Sequence, residues 1–582
     1  MQDHAPPAQR PPSLQDIARA IAGVPRALAT WHATSTSSPA WTIAVAVIAA
    51  VMLLPIVTIA ALALMPTENI WPHLAAHVLP RALKETFLLI TGVGLVTLTI
   101  GTACAWFVTM YRFPGRGIID RLLVIPLAMP TYIVAYCYGD LLDYAGPLQS
   151  SLRALLGWTT VNDYWFPEIR SIGGAVLVLS LVLYPYVYLT ARASFVLQSV
   201  CALEVARTLG RTPMGAFWSV ALPLARPALA AGVALALMEC LNDLGAVQYL
   251  GVETLTVSVY TTWLMRSNLG GAAQIATVML LFVAVLFAIE RLARGRGRFH
   301  HTTGRYRAIP FSDIEGWKGA AAAAVCATPF VLGFLVPFAV LIGPAVRHFE
   351  EAAMQGFWQA ARNSVTLSIL AALLACVCAL LIAYAHRVAS NRFTRTATQF
   401  SGLGYAVPGT VLALGLLIPL AKFDNAVDSL ARDVFGISTG LLLSGTLAAL
   451  VLAYTIRFLA VALGSVDAGL QRISPNLDAA ARTLGQSSLS TLWRVHIPML
   501  LPALGAGGLL VFVDSMKELP ATLLLRPFNF DTLATQVYNY AALEQLEMTA
   551  PGALMIVAVG LIPVLLLHKA VASGRAGSDG QG

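Results

Sequence analysis

Long apolar runs, broken by short polar segments, recur along almost the whole chain. A bilayer's hydrocarbon core, roughly 30 Å thick, takes about 20 mostly apolar residues per crossing helix, because every backbone N–H and C=O must be satisfied within the segment. Runs of that kind lie near 41–65, 87–111, 121–143, 173–194, 224–246 and 272–292, and again near 319–346, 365–386, 402–421, 438–463, 500–523 and 550–571. The pattern predicts an all-α polytopic membrane protein with about 12 transmembrane helices. Composition agrees: of 582 residues, 58% are apolar and only 11% charged, so lipid is the main solvent.

The polar segments set the expected topology, since short loops rich in Lys and Arg stay in the cytoplasm. Arg10, Arg19 and Arg26, then Arg112, Arg116 and Arg121, fall on one face. So do the connector residues Arg291, Arg294, Arg296, Arg298, Arg305, Arg307 and Lys318, then Arg387, Arg392 and Arg395, and finally Lys569 and Arg575. That face is expected to be cytoplasmic and to hold both termini. Loops 144–172 and 424–437 on the other face carry no basic cluster. Topology thus accounts for the net charge of +8, and no nucleic-acid partner is expected. The polar N-terminal segment is too long and too weakly apolar for a signal-peptide core, so the first span is expected to act as its own insertion signal. The seven cysteines sit in mostly apolar segments without paired spacing and read as packing thiols, Cys376 and Cys378 included.

A search for long-period self-similarity finds one repeat. Glu204-Val205-Ala206-Arg207-Thr208-Leu209-Gly210, Trp218 and Pro223 recur as Ala479-Ala480-Ala481-Arg482-Thr483-Leu484-Gly485, Trp493 and Pro498, all 275 positions later. The match runs on without a gap: Glu239, Asp243, Leu244 and Ala246 correspond to Asp514, Glu518, Leu519 and Ala521. Upstream, Pro130 and Ala135 correspond to Pro408 and Ala413 at an offset of 278. Two six-helix units in the same orientation are therefore expected, as parallel repeats about an axis along the membrane normal. The predicted units are a cytoplasmic tail 1–40, a first repeat 41–292, a basic cytoplasmic connector 293–318, a second repeat 319–572 and a tail 573–582.

The strongest match falls on a cytoplasmic loop, where sequence ordinarily drifts. Small residues there let another surface approach closely, and a glycine ends the short helix. The pattern resembles the EAA loop of binding-protein-dependent ABC importer permeases: an acidic residue, two small residues, a following glycine and a downstream Leu-Pro or Ile-Pro. The resemblance implies the fold of that permease type. It also implies a coupling helix docked on an ATPase subunit, with Glu204, Ala206 and Gly210 in one docking element and Ala480, Ala481 and Gly485 in the other. The second copy departs from the pattern, with Ala479 at the acidic position and Asp478 one residue earlier; whether Asp478 compensates stays open. No Gly-x-x-x-x-Gly-Lys-Ser/Thr phosphate loop occurs in the chain, so it is expected not to be the ATPase and to have no catalytic residues or cofactor. Two copies of a separate cytoplasmic ATPase and an extracytoplasmic substrate-binding protein are the implied partners, at the inner membrane.

Glu239 and Asp243, like Asp514 and Glu518, are four residues apart and are expected to share a helical face. Each pair begins about 16 residues after the proline opening its span, so about 24 Å along it, near the outer edge of the bilayer core. Ionisable side chains at that depth usually face a water-filled path or a partner. Four carboxylates meeting near the pseudo-twofold axis would suit a hard, highly charged cation. Structural ion pairing, involving Lys517 or Arg226, is the competing reading.

The run Lys517-Glu518-Leu519-Pro520-Ala521-Thr522-Leu523-Leu524-Leu525-Arg526-Pro527, with Phe530-Asp531-Thr532-Leu533-Ala534, resembles the second-half signature of fused ferric-iron importer permeases. Asn242-Asp243-Leu244-Gly245-Ala246 and Leu183-Tyr184-Pro185-Tyr186-Val187-Tyr188 are similar to first-half counterparts. Ferric iron is the implied substrate; permeases for thiamine, aminophosphonates and other small solutes share much of this pattern. A secondary transporter, which also has twelve spans in parallel halves, is the rival from another class, and the duplicated loop argues against it.

Overall fold

The computed structural model describes residues 39–66, 68–197, 210–294, 312–389 and 391–573. The first half opens with α1 (Pro39–Leu64) and α2 (Trp71–Met110). Next come α3 (Thr131–Leu142), α4 (Ile172–Leu197) and α5 (Leu222–Asn242). Two short helices, α6 (Gly245–Tyr249) and α7 (Leu255–Leu264), precede the returning span α8 (Leu269–Arg294). The second half repeats the order with α9 (Gly316–Arg347), α10 (Phe349–Val388), α11 (Gly409–Phe435) and α12 (Leu447–Gln471). After it come α13 (Pro475–Thr483), α14 (Ile497–Met516), α15 (Pro520–Leu525), α16 (Leu533–Ala542) and α17 (Leu546–Ser573).

Among the described residues, 11 helices are long and apolar enough to cross a membrane, and a bent pair brings the number to 12. The bent pair corrects the third predicted span. Instead of one helix over 121–143, segments Arg116–Ala128 and Thr131–Leu156 meet at 94°. Pro130 explains the break, since it lacks an N–H and holds the residue before it, Met129, extended at ψ 121° and out of the α region. The runs predicted at 224–246 and 500–523 also end early, at Asn242 and Met516.

The first span of each half leans on the other half. Helix α1 packs against α11 as well as α8, and α9 packs against α3 as well as α17. One glycine permits the first crossing, and another lets α9 pass close to α4 beside the second. A Cβ on Gly415 would stand 2.5 Å from the Pro55 carbonyl oxygen, and one on Gly333 would stand 2.3 Å from that of Leu181. Such contacts exclude any larger residue unless a backbone moves. Tyr138 seals the second crossing by donating to the Leu332 carbonyl at 2.7 Å, while Trp41 of α1 reaches across to the Ser488 hydroxyl at 3.1 Å. The end of the connector is pinned by a short parallel pairing of Tyr111 and Arg112 with Ser312 and Asp313.

Candidate functional site

The two halves meet around a cavity of about 90 Å³ lined by Glu239, Asn242, Asp243, Arg457, Asp514, Lys517 and Glu518 together with Tyr132 and Tyr186. Its walls are shaped by helix breaks. Helix α5 stops at Asn242, and Asp243 turns extended at φ −66°, ψ 127°. The Asp243 carboxylate then folds forward to accept the N–H of Ala246 at 2.8 Å and of Val247 at 3.3 Å. The carboxylate thus caps the start of α6 from the residue before its N-cap position, Leu244, satisfying donors that a helix start leaves orphaned. Thr131 donates to its other oxygen. Glu518 does the same for α15, accepting from the Ala521 and Thr522 amides at 3.0 and 3.2 Å and from the Thr522 hydroxyl at 2.8 Å.

The shared helical face expected for each acidic pair is therefore corrected: the helix has ended before the second member. Convergence is still found, because all four carboxylates line the one cavity. Glu239 accepts from the Tyr405 hydroxyl of the second half at 2.5 Å. Asp514 pairs with Lys517 at 3.0 Å, both side chains about a quarter exposed. Arg457 lies 3.8 Å from Glu518, both almost wholly buried. It also donates to Asn242 Oδ1 at 2.7 Å, an oxygen that takes the Gly409 amide at 2.8 Å as well. Asn242 thus ties the first half to the second. Among the described residues, no three His, Cys, Asp or Glu side chains are placed to hold a metal ion together. The cavity instead sets four carboxylates against two cations.

Sequence reasoning missed Arg457, Asn242, Tyr405 and Thr131. Arg457 carried a signal as a charge inside an apolar span, and Asn242 stood in the run that resembles the first-half signature.

Helix α13 and the turn after it carry the residues predicted for the second docking element. Ser474 caps its start through the Asn476 amide at 3.3 Å. Its end is a Schellman turn: the Gln486 amide reaches the Ala481 carbonyl at 3.0 Å, and the Gly485 amide reaches Arg482 at 2.9 Å. Gly485 supplies the left-handed φ of +73°. Ala480 and Gly485 face outward, whereas Ala481 is buried. Asp478 points inward. Arg387 donates to it through Nε at 2.8 Å, and His496 Nε2 stands 2.6 Å away. The remaining Arg387 donors hold the Leu470 and Ile473 carbonyls at 2.7 and 2.9 Å. Burial by itself would raise the Asp478 carboxyl, but His496 and Arg387 outweigh it and hold the group below the usual carboxylate range. In the first docking element, Glu204 and Ala206 lie outside the described residues, and Gly210 is exposed with φ +81°.

The sequence matches the family described as binding-protein-dependent transport system inner membrane component over residues 97–296 and again over 371–574. The chain belongs to that family. It is an ABC importer permease with two family domains fused in one polypeptide, a multi-pass inner-membrane protein that is a transport subunit and not an enzyme. The permease is 26% identical over 491 residues to the Fe(3+)-transport system permease protein FbpB 2 of Haemophilus influenzae, covering 84% of this chain and 89% of that one. It is 21% identical to the ferric transport system permease protein FbpB of Actinobacillus pleuropneumoniae, covering 82% of this chain and 69% of the relative. A 2-aminoethylphosphonate transport system permease protein PhnU of Salmonella choleraesuis, described as putative, is 29% identical over 34% of this chain and 70% of its own length.

Proposed function

We propose that this permease moves ferric iron inward through the cavity between its halves. The likeness over 84% of the chain to a permease named for Fe(3+) transport carries the reading, since the 2-aminoethylphosphonate relatives match 34% and 43% of it. The four carboxylates at the cavity support it, because hard oxygen donors suit a hard trivalent cation. Glu239 and Asp514 line the passage, while Asp243 and Glu518 hold its wall in shape by capping α6 and α15. Work comes from two copies of a cytoplasmic ATPase, one at the element of Glu204, Ala206 and Gly210 and one at α13 with Ala480, Ala481 and Gly485. An extracytoplasmic binding protein delivers the substrate. Both termini and the basic loops face the cytoplasm.

The test is uptake of radioactive iron by vesicles carrying the permease, its ATPase and its binding protein. Glu239→Gln with Asp514→Asn is expected to cut ATP-dependent uptake at least about 10-fold, which is about 1.4 kcal/mol of barrier. Full uptake by that double variant at normal expression would remove the path assignment. Arg457 and Lys517 favour a second reading, an anionic organic solute such as an aminophosphonate. Uptake of that solute with no uptake of iron would select it.

A further inference from the structure

On the side of the membrane away from α13 lies a second cavity, a vestibule of about 240 Å³ lined by Asp140, Asp143, Arg170, Tyr249, Glu544 and Tyr136. Helix α3 connects it to the central cavity. Tyr136 borders the vestibule and Tyr132, one turn nearer the break at Pro130, borders the central cavity. Their ring centroids are 6.0 Å apart, and Tyr136 and Tyr249 meet edge to face at 4.7 Å. Both residues are buried, at 4% and 2% exposure. Among the described residues, neither hydroxyl has a hydrogen-bond partner.

That last observation needs a cause. A buried hydroxyl without a partner destabilises a fold, and native structures contain few of them. Phenylalanine would fill the same space at both positions without that penalty. Packing explains the rings and leaves the oxygens unexplained. The two side chains do stand beside the groups a cation would visit: Tyr132 lines the central cavity with Asp243 and Glu518, and Tyr136 lines the vestibule with Asp140, Asp143 and Glu544. The repeat supplies no second copy, because the positions matching Tyr132 and Tyr136 are Thr410 and Leu414.

We propose that Tyr136 and Tyr132 hand a partly dehydrated ferric ion from the acidic vestibule to the central cavity, their unpartnered hydroxyl oxygens replacing lost water. Phenolic oxygen is a hard donor. A series of weak stations admits an ion and also releases it, as conduction requires. Asp140, Asp143 and Glu544 concentrate the cation at the mouth, and Arg170, paired with Asp143 at 3.5 Å and Glu544 at 3.0 Å, holds the rim together. The relay rests on the ferric reading above.

Tyrosine-to-phenylalanine changes test it, because they remove only the oxygen. In the complete complex of permease, ATPase and binding protein, Tyr132→Phe with Tyr136→Phe is expected to assemble normally and to melt no lower than the unaltered protein. Its iron uptake is expected to fall at least ten-fold, and that of either single variant about three-fold. Unchanged uptake by the double variant overturns the relay while leaving ferric transport standing. A lower melting temperature with uptake lost only in proportion to folded protein assigns the hydroxyls a structural role and overturns it too. If the unaltered complex moves no iron, the ferric reading fails and the relay with it.

Discussion

The two repeats share a frame and differ in chemistry. Each breaks its fifth span at the same place and caps the next short helix with a carboxylate, Asp243 in one and Glu518 in the other. Around those caps the side chains have been exchanged. The first repeat pairs a short acid with Thr131. The second pairs a longer acid with Gly409, where a Cβ would stand 2.8 Å from both Glu518 Oε1 and Arg457. Both cations lining the cavity, Arg457 and Lys517, come from the second repeat, while Tyr132 belongs to the first. Duplication therefore kept the backbone interruption and let each half specialise, one toward oxygen donors and the other toward charge balance.

The largest expected effect tests what the halves share. Gly210→Val with Gly485→Val forces β-branched residues into left-handed positions with φ of +81° and +73°, where such residues are strained. Among the described residues nothing lies within 4 Å of a Cβ on either glycine, so the span bundle itself should fold. Co-purified ATPase is expected to fall at least about 1,000-fold, a loss of about 4 kcal/mol or more in docking. Normal complex formation would break the equivalence of the two docking elements.

A smaller effect tests what is particular to the second half. Arg387→Met leaves Asp478 half-satisfied and frees two carbonyls, and is expected to destabilise by about 3 kcal/mol, read as a lower melting temperature. The same network fixes a pH dependence. Because the folded Asp478 carboxyl is held below its ordinary value, its contribution is fully present at neutral pH and is lost as pH falls through the acidic range below that value. Asp478→Asn should flatten that acid limb of the melting curve, and an unaltered limb would show that the tether carries no charge energy. The smallest effect compares the caps: Gly409→Ala, crowding the longer acid, is expected to cost about 1–3 kcal/mol by overpacking. The test is whether Gly409→Ala lowers the melting temperature at all.

Most of this architecture was legible in the chain because lipid imposes one requirement, an unbroken apolar helix, which composition reports directly. The repeat was legible because the interval between matching residues is constant. The helix breaks at Asn242 and Met516 were not read, since apolar runs continue through them. Their signals were present in a different form: Asp243 sits three residues before Ala246 as a cap does, and Pro520 stands at the first position of α15. The direction of Asp478 was beyond the sequence, because Arg387 approaches it from a helix 91 residues earlier and His496 from one 18 residues later. For the same reason the sequence showed carboxylates at the right depth and could not show which would be engaged as caps.

The crossing of α1 onto α11 and of α9 onto α3 bears on biogenesis. During synthesis the opening helix must wait in the lipid until the ninth span emerges to cover it. Severing the connector would give two fragments, each lacking a wall the other owns, so neither should survive alone and co-expression should rescue both. Joining them in one polypeptide guarantees that every such helix finds its counterpart in equal number.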